Sequence, residues 1–133
     1  YVEAESNKIG RITLPDALVT AMHAGECVVL DTPLDVRVAG LLEDYRHYLA
    51  NPELLIEHLQ ALHQFHGAKR LEHWTALIRG GDFATLVGEL LTLHYDPSYI
   101  RATSKHYAHL DRARHVPVVS LSQDALKEIA QDL

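Results

Sequence analysis

A single cysteine, Cys27, leaves no partner for an intramolecular disulfide and no basis for an all-cysteine metal cluster, and it fits a reducing compartment. Long apolar runs are missing as well. None approaches the roughly 20 residues needed to span a bilayer, and the first residues lack the charged and apolar regions of a secretory signal. A soluble, cytoplasmic protein with no membrane partner is the expectation. Positive charge is scarce: 12 Lys and Arg against 18 Asp and Glu give −6 with histidines neutral. That argues against a surface built wholly for nucleic acid or an anionic membrane, while leaving room for a local basic site. The phosphate-cradling G-x-x-x-x-G-K-[ST] loop is absent, and no glycine is followed by lysine. This chain alone is therefore not a competent P-loop enzyme. It also begins at Tyr1 without a methionine, inside what reads as a strand, so a piece of a longer protein is expected.

What is present suits one packed domain. The 133 residues are 47% hydrophobic and 23% charged, which excludes disorder, collagen and coiled coil. Tyr1 to Glu5 reads as the end of a strand, followed by a polar turn at Ser6-Asn7-Lys8 and Gly10. Pro15, with Leu14, Leu18, Ala21 and Met22 on one face and Gly25 as a stop, predicts a helix over about 15–24. Cys27 to Leu30 has the continuous apolar character of a buried parallel strand. Thr32-Pro33-Leu34-Asp35 then supplies a capping hydroxyl, a proline and an acid for a helix whose stripe is Leu34, Val38, Leu41, Leu42 and Tyr45.

Helical patterns fill about 52–93. One opens at Asn51-Pro52 and ends at Gly67, and two more lie near 69–79 and 82–93, the last carrying Phe83, Leu86, Val87, Leu90 and Leu91 at spacings of three and four. A polar and basic stretch follows His94 to Tyr99. Val116 to Val119 then gives another apolar strand, and Ser120 to Asp132 a final helix with Leu126 and Ile129 inward. Strands alternating with helices at both ends imply an α/β fold. The expectation is a partial parallel sheet of three strands with an all-helical insertion, predominantly helical by residue count. So small a sheet calls for completion by upstream chain or by a second subunit.

Two groups of residues have the chemistry of a site. Glu3, Glu5 and Ser6 sit where a parallel strand is expected to end, the side of an α/β sheet at which ligands collect. Carboxylates there suit Mg²⁺, while Lys8, Arg11 and Arg37 suit phosphate. The alternatives are a solvated acidic turn and surface ion pairs. Between Arg101 and His115, four cations (Arg101, Lys105, Arg112 and Arg114) face one acid, Asp111, with Tyr99, Tyr107 and three histidines interleaved. Cations release counterions from a phosphate backbone and aromatics stack on unpaired bases, so this is the candidate RNA surface; an ordinary basic loop is the alternative. The ten histidines include i,i+3 pairs at His63 and His66 and at His106 and His109, but no HExxH occurs and no cysteine is near. A solvated face is expected for His58, His63, His66 and His73, and no metal site. Cys27, in an apolar strand, reads as packing.

Glu3-Ala4-Glu5-Ser6-Asn7-Lys8-Ile9-Gly10-Arg11-Ile12, then Pro15 and Met22, then Leu30-Asp31-Thr32-Pro33-Leu34-Asp35-Val36-Arg37-Val38 with Asp44-Tyr45, and finally His94-Tyr95-Asp96-Pro97-Ser98-Tyr99, together resemble the C-terminal part of the bacterial tRNA 2-selenouridine synthases. The resemblance covers most of the chain and is weakest across 50–80. It implies that residues 1–133 are the C-terminal half of a P-loop domain, and that a rhodanese-like domain with the catalytic cysteine and the phosphate loop lie upstream. It also implies replacement of sulfur by selenium in wobble 2-thiouridine, with selenophosphate and geranyl diphosphate as substrates and a geranylated intermediate. Under the resemblance this chain holds no catalytic residue and no resident cofactor. Its partners are the tRNA anticodon arm and the upstream domain. Glu3, Glu5 and Arg37 then border the phosphate site, and the basic segment touches tRNA. Two other functions fit the residues: half of a small-molecule P-loop kinase, and a helical interaction module without catalysis.

Overall fold

A computed structural model describes residues 2–4 and 7–133. The chain is predominantly helical with one small parallel sheet, and it divides into two compact units, residues 1–31 with 95–117 and residues 32–94 with 118–133.

In the first unit Val2, Glu3 and Ala4 have no regular structure, so the strand expected over residues 1–5 is not found there; Tyr1, Glu5 and Ser6 lie outside the described residues. The chain instead forms a short antiparallel hairpin of β1 (Lys8–Ile9) and β2 (Ile12–Thr13), with Lys8 opposite Thr13 and Ile9 opposite Ile12. The expected turn thus moves from residues 6–8 to Gly10-Arg11. Gly10 has φ 60°, the left-handed geometry that a two-residue hairpin connection requires of one of its members. Leu14 N–H donates to the Asn7 carbonyl at 2.7 Å and closes the hairpin.

Helix α1 (Asp16–His23) follows Pro15, which stands at the N-cap and not inside the helix. Strand β3 (Val28–Asp31) pairs in parallel with β4 (Arg114–Pro117), Val28 opposite Arg114 and Asp31 opposite Pro117. Strand β4 therefore begins before the apolar run 116–119 in which a strand was expected. The ladder starts where Arg114 N–H donates to the Cys27 carbonyl at 3.0 Å. Among the described residues this sheet has two strands, where three were expected. The polar stretch before β4 is helix α7 (Asp96–His106) and a 3-10 turn (Leu110–Arg112), elements the sequence pattern did not indicate.

The second unit is helical throughout: α2 (Leu34–Asp44), α3 (Arg46–Leu49), α4 (Pro52–Leu59), a 3-10 turn (Gln60–Leu62), α5 (His63–Gly80), α6 (Phe83–Leu90) and α8 (Gln123–Asp132). Side-chain caps explain three of the starts. Asn51 accepts from Leu54 N–H at 3.3 Å, Asp82 from Thr85 N–H at 3.2 Å and Ser122 from Ala125 N–H at 3.3 Å. The Ser122 cap starts α8 after Ser120, where the helix was expected to begin. The capping hydroxyl expected of Thr32 is not used: Pro33 stands at the N-cap of α2 without a side-chain bond.

Leu59, Leu71, Trp74, Ile78 and Leu86 form the buried cluster, flanked by half-buried Leu55, Leu62, Phe83 and Leu90. The apolar stripe of α6 thus points inward, as its spacing predicts. Gly67 has φ 73° and ψ 171°, so α5 is two helical pieces meeting at a kink. The segment before α8 lies close against α2 at Gly40, where a Cβ would come within 2.7 Å of Leu121 Cδ1, the movable end of that side chain. Past α6 the chain widens into a π-helical turn (Leu91–Tyr95). Pro97, in the first turn of α7, has no backbone N–H to donate.

Candidate nucleic-acid interface

The basic segment is carried by three consecutive elements of the first unit. Arg101 and Lys105 are exposed one turn apart on α7, Arg112 ends the 3-10 turn and Arg114 opens β4. The first unit has six Lys and Arg against seven Asp and Glu in sequence, the second six against eleven. Repulsion of a polyanion is therefore weakest on the unit that carries these residues.

Local contacts fix the segment. Helices α1 and α7 end beside one another: His23 and His106 stack at 5.3 Å, Tyr107 meets His23 edge-on at 5.0 Å, and Ala108 N–H donates to the His23 carbonyl at 3.0 Å. Tyr107 is half-buried there, and burial, with Cys27 close by, raises its phenol pKa. Arg112 donates to His109 Nδ1 at 2.7 Å. His115 Nδ1 donates to Asp31 Oδ2 at 2.9 Å, across the two strands and toward their carboxyl ends. At the other end of α7 the rings of Tyr95 and Tyr99 are stacked, centroids 5.9 Å apart.

The phosphate and Mg²⁺ candidates are distributed differently. Glu3 is exposed on the irregular segment before the hairpin, Lys8 is on β1 and Arg11 is in the hairpin turn, all in the first unit. Arg37 is half-buried in α2 and belongs to the second unit. Glu5 and Ser6 lie outside the described residues. Among the described residues no three His, Cys, Asp or Glu side chains stand close enough to share a metal ion.

Sequence reasoning missed a polar cluster in the second unit. Glu89 on α6 accepts from Trp74 Nε1 at 2.9 Å, His73 Nε2 at 3.0 Å and Arg70 Nη1 at 3.3 Å. The His73 hydrogen bond, helped by the indole N–H and the charges of His73 and Arg70, outweighs burial and lowers the Glu89 pKa. His66 shares a 3.0 Å hydrogen bond with His94, so His66 is not the solvated histidine expected. Burial, and then the charges of His94 and Arg70, lower its pKa. The spacing of Arg70, His73 and Trp74 on one helical face, opposite a lone carboxylate in the apolar stripe of α6, is the signal that would have found the cluster. An open cavity of about 740 Å³ also lies along α5, bordered by Gln60, His63, Glu72, Thr75 and Arg79; its mixed charges select no ligand class.

A sequence model of the family described as tRNA 2-selenouridine synthase AAA domain matches residues 1–79. A tRNA 2-selenouridine synthase of Shewanella loihica is 29% identical over 124 residues, covering 74% of this chain and 33% of that protein. Relatives of the same name from Shewanella halifaxensis and Shewanella frigidimarina are 48% identical over 46 and 44 residues, covering 35% and 33% of this chain and 13% and 12% of those proteins. The chain thus spans about a third of the length of the first of these relatives. No solved structure matches. Among the described residues no helix is long and apolar enough to cross a membrane.

Proposed function

Because the chain belongs to the tRNA 2-selenouridine synthase AAA-domain family, we propose that it serves a cytoplasmic enzyme that converts wobble 2-thiouridine of tRNA to 2-selenouridine. The observation that carries the proposal is the family match over residues 1–79. In this reading the chain is the C-terminal half of a P-loop-type domain, and β3 and β4 belong to a larger sheet completed by upstream chain or by a second subunit. Selenophosphate and geranyl diphosphate are the anionic substrates. Glu3, Glu5, Ser6, Lys8, Arg11 and Arg37 are assigned to the phosphate side of the site. Cys27, half-buried next to β3, is assigned to packing, and sulfur chemistry to a cysteine outside this chain.

The tRNA contribution is assigned to residues 101–115. Arg101, Lys105, Arg112 and Arg114 neutralise backbone phosphates, and Tyr107 borders them at the end of α7. Neutralised phosphates release counterions, so this surface predicts salt-dependent binding. Replacing all four cations by Glu in the full-length protein is expected to weaken tRNA binding by at least about 100-fold at moderate salt. The slope of log affinity against log salt is expected to fall by about two to three. The selenouridine content of tRNA, read by mass spectrometry in complemented cells, should fall in parallel. Unchanged affinity and slope would reject the surface.

A further inference from the structure

We propose that Tyr95 and Tyr99 are a stacking site for an unpaired RNA base, with Arg101 and Lys105 holding the adjoining phosphates. The proposal rests on the reading of this unit as an RNA surface and adds to it the element that distinguishes loops from duplex.

The two rings are parallel to within 11° with centroids 5.9 Å apart. Tyr95 and Tyr99 remain 50% and 39% exposed. Tyr107, the other aromatic of the segment, is half-buried edge-on against His23 and offers less ring. A pre-stacked pair has its side chains already ordered, which lowers the entropy lost when a base is added to the stack.

The geometry of α7 relates the pair to the cations. At about 100° per residue, Tyr99 stands about 40° from Thr103, which marks the buried side of the helix, and Tyr95 belongs to the π-helical turn just before it. Arg101 and Lys105 fall on the far side, beyond an exposed stripe of two short side chains, Ser98 and Ala102. A single strand lying along that stripe meets aromatic faces on one side and positive charge on the other. Neither cation forms an ion pair with another described residue. Bases within a duplex are already stacked and covered, so only splayed bases of a loop or single strand can use such a site. A stripe of serine, alanine and cations lacks the apolar groove that would favour a peptide.

The test uses the full-length protein, with an RNA stem-loop and a blunt RNA duplex as probes, across a salt titration. The double variant Y95L/Y99L is expected to lose about tenfold in affinity for the stem-loop, with little change for the duplex and an unchanged salt slope, because stacking releases no counterions. Y95F/Y99F keeps the rings and is expected to bind like the wild type. R101E/K105E should weaken both probes and lower the slope. If the Leu variant binds the stem-loop normally while R101E/K105E lowers the slope, the stacking site is refuted and the RNA surface stands. If neither variant changes binding, the surface itself is rejected. Loss in the Phe variant equal to that in the Leu variant would also overturn stacking, since the hydroxyls and not the rings would then matter. A change in elution volume of the Leu variant without RNA, at unchanged RNA affinity, would mark the pair as a protein-docking contact and refute the proposal.

Discussion

Replacing Glu89 by Leu tests whether one carboxylate holds the helical unit together. Trp74 is 0% exposed and its indole N–H donates to Glu89, so removing the carboxylate leaves a buried donor without its acceptor. An orphaned buried donor costs about 1–3 kcal/mol. The Arg70 and His73 contacts are worth less, about 0.2–1 kcal/mol each, because those side chains are 41% and 46% exposed. The expected loss for E89L is therefore about 3 kcal/mol, a large part of the roughly 5–15 kcal/mol that stabilises a typical domain. E89Q keeps an oxygen for the indole and loses only the charge, so about 1 kcal/mol is expected. Urea denaturation followed by Trp74 fluorescence reads both variants, since the chain has one tryptophan.

Acid supplies an independent check. The folded-state pKa of Glu89 lies below the ordinary value of 4.5, so ionisation favours the folded state. That stability is complete above 4.5 and is lost as pH falls through the folded value, whereas Gln at this position has no such dependence. Wild type and E89Q should therefore converge on acidification. A loss below about 1 kcal/mol for E89L, or a gap between wild type and E89Q that persists in strong acid, would refute the reasoning.

Two further outcomes follow from the same unit. His66 has a folded pKa below 6.5, so stability is full above that value and falls as pH drops beneath it, the unfolded chain taking up the proton first. H66F should flatten the decline between about pH 7 and about pH 5, and identical pH profiles for the two proteins would contradict the assignment. G67A should destabilise by about 1–3 kcal/mol although no atom crowds a Cβ there, because φ 73° with ψ 171° is a glycine-only conformation. G80A, equally uncrowded but without positive φ, should stabilise by about 0.5–1 kcal/mol; equal effects of the two changes in thermal melts would show that the kink is not a backbone constraint.

The helices that were legible carry their own start and stop signals. Helices α4 and α6 follow Asn51 and Asp82, each of which caps its helix, and the stripe of α6 buries where its spacing says it should. Helix α7 was illegible because its inward side is marked by one small polar residue, Thr103, and because Asp96-Pro97 reads as a break when the proline in fact sits in the first turn. The sheet failed for a different reason. A strand is defined by its partner, and β3 and β4 are separated by 82 intervening residues, so composition alone could place neither the start of β4 at Arg114 nor the hairpin where a strand end was expected.

The site divides along the same line. An excess of cations over a short stretch is a property of sequence, and Arg101, Lys105, Arg112 and Arg114 were visible as such. Which aromatic beside them keeps its face open is a property of packing. Tyr107 lies inside the basic run, yet it turns toward His23 because the ends of α1 and α7 meet there. Tyr95 and Tyr99 lie before the run and are 50% and 39% exposed, Tyr99 about 40° round α7 from the buried Thr103. If ring exposure and not proximity in sequence governs base stacking, leucine at Tyr95 and Tyr99 must cost more stem-loop affinity than leucine at Tyr107, provided the last variant keeps its fold. The reverse order, with intact circular dichroism for all three, would return the stacking role to the residue that the linear pattern indicated.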